Sequence, residues 1–260
     1  MKFVLLVLAV SVAAFAGTAQ DNVGDWAGIS GGGVGGFGDW DYPAAVLYDN
    51  GPFVTGVGMG SGGADISEMQ TGDGTYGYGF QVVNGNIVAD VFTVPAGETW
   101  NIDKITIFGY QTGSGTTPTI NDIRLAVYDD VPTTGSIIYG SMSTNVLSSA
   151  AWTNCYRVNI GLYTNTDRPV MALQADLATW TLTEGSYWLC MQAGGTGASG
   201  PWANPVTVSG SPSEGVAMQY TTSGGWVSLV QGTYGVSLPF ILEGPTSLQR
   251  ITWGQIKSTF

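Results

Sequence analysis

The chain contains no histidine. Ser-His-Asp and Cys-His catalysis need imidazole as the base, so both are excluded in their usual forms. Histidine-ligated zinc, copper and haem sites are excluded with them. Two cysteines are too few for a Cys-only zinc or iron–sulfur site. Positive charge is scarce as well: 7 Lys and Arg stand against 19 Asp and Glu, a formal net charge of -12. Such a surface repels phosphate backbones and lacks the basic stripe that nucleic-acid binding needs. It disfavours an anionic membrane surface for the same reason. Neutral glycans, cations and other surface proteins remain as partners. Charged residues are only 10% of the chain and hydrophobic residues 44%, the reverse of a disordered composition. Beyond the N-terminus no apolar run is long enough to span a bilayer, so no transmembrane segment is expected in the mature chain.

What the N-terminus does carry is an export pattern. Lys2 precedes an apolar run from Phe3 to Phe15, and Ala14 and Ala16 follow an A-x-A spacing, with Ala19 as a second cleavage point. Charge, short apolar core and small residues in that order mark residues 1–19 as a secretory signal peptide. The expected location is therefore extracytoplasmic, secreted or at the cell surface. Cys155 in TNCYRV and Cys190 in SYWLCMQ lie in strand-like segments. In an oxidising compartment the pair is expected to form a disulfide, either directly between strands or across two sheets. Two buried free thiols are the alternative.

Glycine is abundant, at 40 residues, and turn residues punctuate the whole chain. Residues 20–43 read as a glycine-rich lead-in. Residues 44–244 read as one β domain, and 245–260 as a C-terminal tail whose Trp253, Ile256 and Phe260 share one side of a short helix. Strands are expected at AAVLYDN, FQVV, IVADVFTV, WNIDKITIFGYQ and INDIRLAVYDD. IIYGS, NCYRVNI, PVMALQA, SYWLCMQ, VAMQYTT, GWVSLV and LPFILEG follow. In the INDIRLAVYDD segment Ile123, Leu125 and Val127 alternate with Asp122 and Arg124, the pattern of a half-buried antiparallel strand. Asn84-Gly85-Asn86 signals a hairpin, Pro95–Glu98 a turn, and Asp65–Gln70 a short helical turn. Many short strands without helical periodicity predict an all-β antiparallel sandwich, jelly-roll-like, with a closed barrel as the architectural alternative.

Several blocks in fixed order carry a resemblance: ADVFTVPAGETWNIDKITIFGYQTG, AWTNCYRV, RPVMAL, GSYWLCMQAGGTGASGPWANPVTV and LPFILEG, with YDNGPFVT upstream. Over Tyr48 to Gly244 the sequence resembles a group of bacterial secreted β-sandwich proteins. The resemblance implies a secreted sandwich domain, often followed by a short sorting tail, and TWGQIKSTF is similar to such tails. It brings no activity and no catalytic residues. The cysteine pair is not part of it.

Three constellations bear on chemistry. Paired carboxylates would serve a glycosidase, but Asp129-Asp130 sits in a turn, and neighbouring strand residues point to opposite faces. A structural calcium ion would draw on Asp49, Asp65 and Asp73 in YDNGP, GGADISE and TGDGT, because Ca²⁺ takes six to eight oxygens from carboxylates and carbonyls. Loop aromatics would stack on sugar rings beside amide groups: Trp202 with Asn204, Trp226, and Tyr110. These readings favour a structural or adhesive protein without catalytic activity. A carbohydrate-binding module, calcium-assisted in one form, comes second, and a carboxylate-based polysaccharide hydrolase or lyase third.

Overall fold

A computed structural model describes residues 40–70, 74–211 and 214–245. The expected signal peptide, most of the expected lead-in, Asp73 and residues 246–260 of the expected tail lie outside the described residues. The strands are β1 (Val46–Asp49), β2 (Asp65–Glu68), β3 (Tyr78–Gly79), β4 (Ile87–Gly109), β5 (Ile120–Tyr128), β6 (Ile137–Gly140) and β7 (Ser149–Val158). They continue with β8 (Pro169–Gly195), β9 (Trp202–Ala203), β10 (Met218–Thr221), β11 (Gly225–Ser228), β12 (Val230–Gln231), β13 (Tyr234–Gly235) and β14 (Phe240–Glu243). The protein is an all-β sandwich. No helix among the described residues is long and apolar enough to cross a membrane.

The organising element is one long antiparallel ribbon, β4 against β8. It runs from Val88↔Met191 at one end to Gly109↔Met171 at the other. The first half of β4 and the last half of β8 form a front sheet with β10 and β11 on one side and β5 and β6 on the other. The remaining halves form a back sheet with β14 and β1 on one side and β7 and β2 on the other. All these pairs are antiparallel except β2 with β7, which is parallel. The ribbon passes between the sheets through two bulged stretches, Val94 to Thr99 and Ile102 to Lys104. Bulges bend a strand and sharpen its twist, which is how one ribbon serves two layers.

The core follows from the strand period of two. Val88, Leu125 and Leu189 of the front sheet join Ile107, Leu173 and Phe240 of the back sheet in one buried cluster. Each such side chain contributes roughly 1.5–3 kcal/mol relative to exposure. The alternate residues form a small cluster on each outer face. Phe53, Phe108, Cys155, Val170, Ala172 and Ile241 gather outside the back sheet. Ala89, Ala126 and Cys190 gather outside the front sheet.

Three local expectations are corrected. Pro95–Glu98 is no chain-reversing turn: β4 continues through it, with those four residues set against Glu184 alone. Asn84-Gly85-Asn86 does not close a hairpin. Val82–Asn84 is a 3-10 turn capped by Gly85, and Gln81 bridges in parallel to Ala193 of β8. The left-handed residue that Asn-Gly favours serves a 3-10 cap as well as a hairpin. Asp65–Glu68 is strand, not helical turn, because pairing with β7 buries Ile66 and Ser67.

The expected disulfide is corrected too. Cys155 and Cys190 are free, fully buried thiols. They sit on opposite outer faces of the sandwich, with the whole core between them. Packed sheets lie about 10 Å apart, beyond the ~7 Å Cα separation that a disulfide tolerates. Burial raises both thiols above their ordinary range.

Candidate functional site

The two outer faces of the sandwich are treated differently by the chain. On the back sheet, Phe53 packs on Phe108 at 4.8 Å between ring centroids, and Trp40 meets the same ring edge-on at 5.5 Å. Tyr42, Val46 and Val54 complete the cover. On the front sheet, the side chains packed over Ala89, Ala126 and Cys190 come from the sheet's own strands, with Met142 added from the segment after β6.

Register builds this front face row by row. Ser228, Met218, Ala89, Cys190, Ala126 and Gly140 stand opposite one another across β11, β10, β4, β8, β5 and β6. Opposed residues share a face, so the row is a low floor of small side chains through its middle. Trp226 and Tyr220 are paired on one side of it, with rings 5.6 Å apart. Trp188 and Tyr128 are paired on the other. All four aromatics are half-buried. Trp188, Trp226 and Tyr128 lean on the floor, which is why Ala89, Ala126 and Cys190 have no exposure although they lie outside the core. A solvated sheet face is normally polar; this one is a platform of partly exposed rings.

Polar groups border the platform. Arg124 on β5 donates through Nη2 to Asp122 Oδ2 at 3.0 Å, and through Nη1 to the Met142 carbonyl at 3.4 Å. Gln192, in register with Arg124, donates to the Asn86 carbonyl at 2.9 Å. The ion pair cancels its own charge and holds the guanidinium in a fixed place.

Beyond Gln192 the same face of β8 reaches Gly194, in register with Asp122. There a cavity of about 420 Å³ opens, walled by Gln81, Val83, Asn84, Ser199, Trp202 and glycines 194, 195, 197 and 200. A side chain at position 194 would crowd Asp122, since its Cβ would lie 3.1 Å from Asp122 Cβ.

The sequence-predicted residues divide accordingly. Trp226 is part of the platform. Trp202 stands on β9, half-exposed at the cavity, with Nε1 donating to Ser199 Oγ at 3.3 Å. Tyr110 is 1% exposed, and its backbone bridges to Trp202; it offers no ring face to a ligand. Asn204 has no exposure, and its amide atoms find no partner among the described residues. Trp188, Tyr128, Tyr220 and Met142 were not singled out from sequence. The alternation in SYWLCMQ carries the signal: Leu189 and Met191 point into the core, so Trp188 and Gln192 face outward.

The acidic candidates serve the fold. Asp49 accepts from the Gly51 amide at 2.9 Å and from the Tyr42 hydroxyl at 2.8 Å. Asp65 accepts from the Gly58 amide at 2.8 Å. Burial raises both above the usual carboxylate range, and these hydrogen bonds partly offset it. Asp49 lies on β1 and Asp65 on β2, at opposite edges of the back sheet and about 24 Å apart at ~4.8 Å per strand. The structure therefore does not bring them together, and Asp73 lies outside the described residues. No cluster of three or more His, Cys, Asp or Glu groups occurs among the described residues. Asp129 and Asp130 cap their own turn, accepting from the amides of Ser136 and Val131. Asp90 is pushed up to about 7 by burial, a value that suits acid–base work. It is 1% exposed, however, and locked to Asn50, Val91 and Leu238, out of reach of any substrate.

Comparison with protein-family models, with curated proteins and with solved structures found no match to this chain.

Proposed function

We propose that this chain is an exported, non-catalytic adhesive β-sandwich that holds neutral glycans on the outer face of its front sheet. The observation that carries this reading is the aromatic platform of Trp188, Trp226, Tyr128 and Tyr220, left partly exposed by the described residues and set beside the ordered Arg124–Asp122 pair. Sugar rings present apolar C–H faces to stack on such rings and hydroxyls to bind the polar border. The net charge of -12 argues for a neutral polymer over a polyanion. The signal-peptide pattern at residues 1–19 supports placement outside the cytoplasm, where cell-surface and matrix glycans are found.

The test is binding of the mature protein to an array of neutral glycans, followed by titration calorimetry on the hits. Trp188→Ala is expected to lower affinity about tenfold or more, a loss typical of a central aromatic anchor. A wild-type protein that retains no neutral glycan at all would end this reading.

A further inference from the structure

One side of β8 leads from the platform to Gly194, which lines the Trp202 cavity. Residues 188, 190, 192 and 194 alternate along β8 and so share its outer side. Trp188 and Gly194 are about 20 Å apart along the strand at ~3.4 Å per residue, and the cavity extends past Gly194. The first part of this track is an aromatic platform. Its middle holds the half-buried Arg124–Asp122 pair, beside Gln192, which is buried and bonded to the Asn86 carbonyl. Its far end offers a second indole, Trp202, together with Asn84, Ser199 and exposed main chain. Val83 stands at the cavity rim, 87% exposed. Apolar faces at both ends with hydrogen-bonding groups between them suit a polymer of amphipathic rings, each with stacking faces and an equatorial belt of hydroxyls.

Resting on the glycan reading above, we infer that the cavity at Trp202 is the far subsite of the same groove, so that the ligand is an extended oligosaccharide lying along β8. A single sugar fills only one end. The glycine at position 194 leaves room there for the Asp122 side chain of the polar border.

The experiment is calorimetric titration of the full mature chain with neutral cello-, xylo-, manno- and laminari-oligosaccharides, from the disaccharide upward. Affinity is expected to rise with chain length and then level off. Trp202→Ala and Val83→Asp are each expected to cost about tenfold for the longest oligomers and nothing for the shortest. Trp188→Ala is expected to weaken all lengths. Val83 makes little contact with the fold, so its variant keeps the test valid if Trp202→Ala fails to fold. Length-independent affinity, or long-chain binding untouched by both cavity variants, overturns the subsite while the platform reading stands. Absence of binding by every oligomer overturns both.

Discussion

Asp90 shows how one residue ties distant segments together. Its carboxylate accepts from Asn50 Nδ2, from the Leu238 amide and from the Val91 amide, each at 2.8 Å. Tyr48 in turn donates to Asn50 Oδ1 at 2.7 Å. These donors favour the ionised form, yet desolvation outweighs them and raises Asp90 from 3.8 to about 7. The folded state therefore binds a proton more tightly than the unfolded chain does. The stability linked to that proton is complete below about pH 4 and is lost as pH rises through about 7, amounting to up to roughly 4 kcal/mol. Asp49, Asp65 and Glu243 are raised as well and act in the same direction. The protein is expected to melt at a higher temperature near about pH 5 than near about pH 8. Asp90→Asn should lower stability but flatten that difference, and thermal melts of both proteins at the two pH values check it. An unchanged slope in the variant would place the pH dependence elsewhere.

At the scale of the element, the β4–β8 ribbon depends on an irregularity. Pro95–Glu98 oppose Glu184 alone, and the Gly97 amide donates to Glu184 Oε2 at 2.6 Å. Gly97 has φ of +80°, where an L side chain is strained although a Cβ would meet nothing. Gly97→Ala is expected to cost about 1 kcal/mol, read by denaturant unfolding. A loss near zero would show that the bulge relaxes freely. Sequence makes the flanking strands plain but not their continuity. Pro95 and Gly97 suit a turn whether the chain reverses or only bends, and the difference lies in Glu184 of β8, 87 residues from Gly97. β5 was fully legible: Ile123, Leu125 and Val127 are buried, and Asp122 and Arg124 face out.

The whole molecule decides which faces stay open. Among the described residues, the segment from Trp40 to Val54 covers the back sheet, while the front sheet keeps its platform. The same layering separates Cys155 from Cys190. Both thiols are expected to resist an aqueous thiol reagent in the native protein and to react together on unfolding. Reduction should leave the melting temperature unchanged. A mobility shift on reduction of the monomer, or one covalently linked peptide pair by mass spectrometry, would contradict this geometry.

By itself the sequence determined the class of the fold, the core-facing residues of its regular strands and the chemistries that an absence of histidine removes. Each of these is written in short-range alternation, turn residues or composition. Tertiary structure alone decided that Tyr110 and Asn204 are buried, that Trp188 and Tyr128 join Trp226, and that the cysteines stand apart. Those outcomes depend on which strand lies beside which and which segment folds over it. Such choices are made by packing between residues far apart in the chain, and no local pattern encodes them.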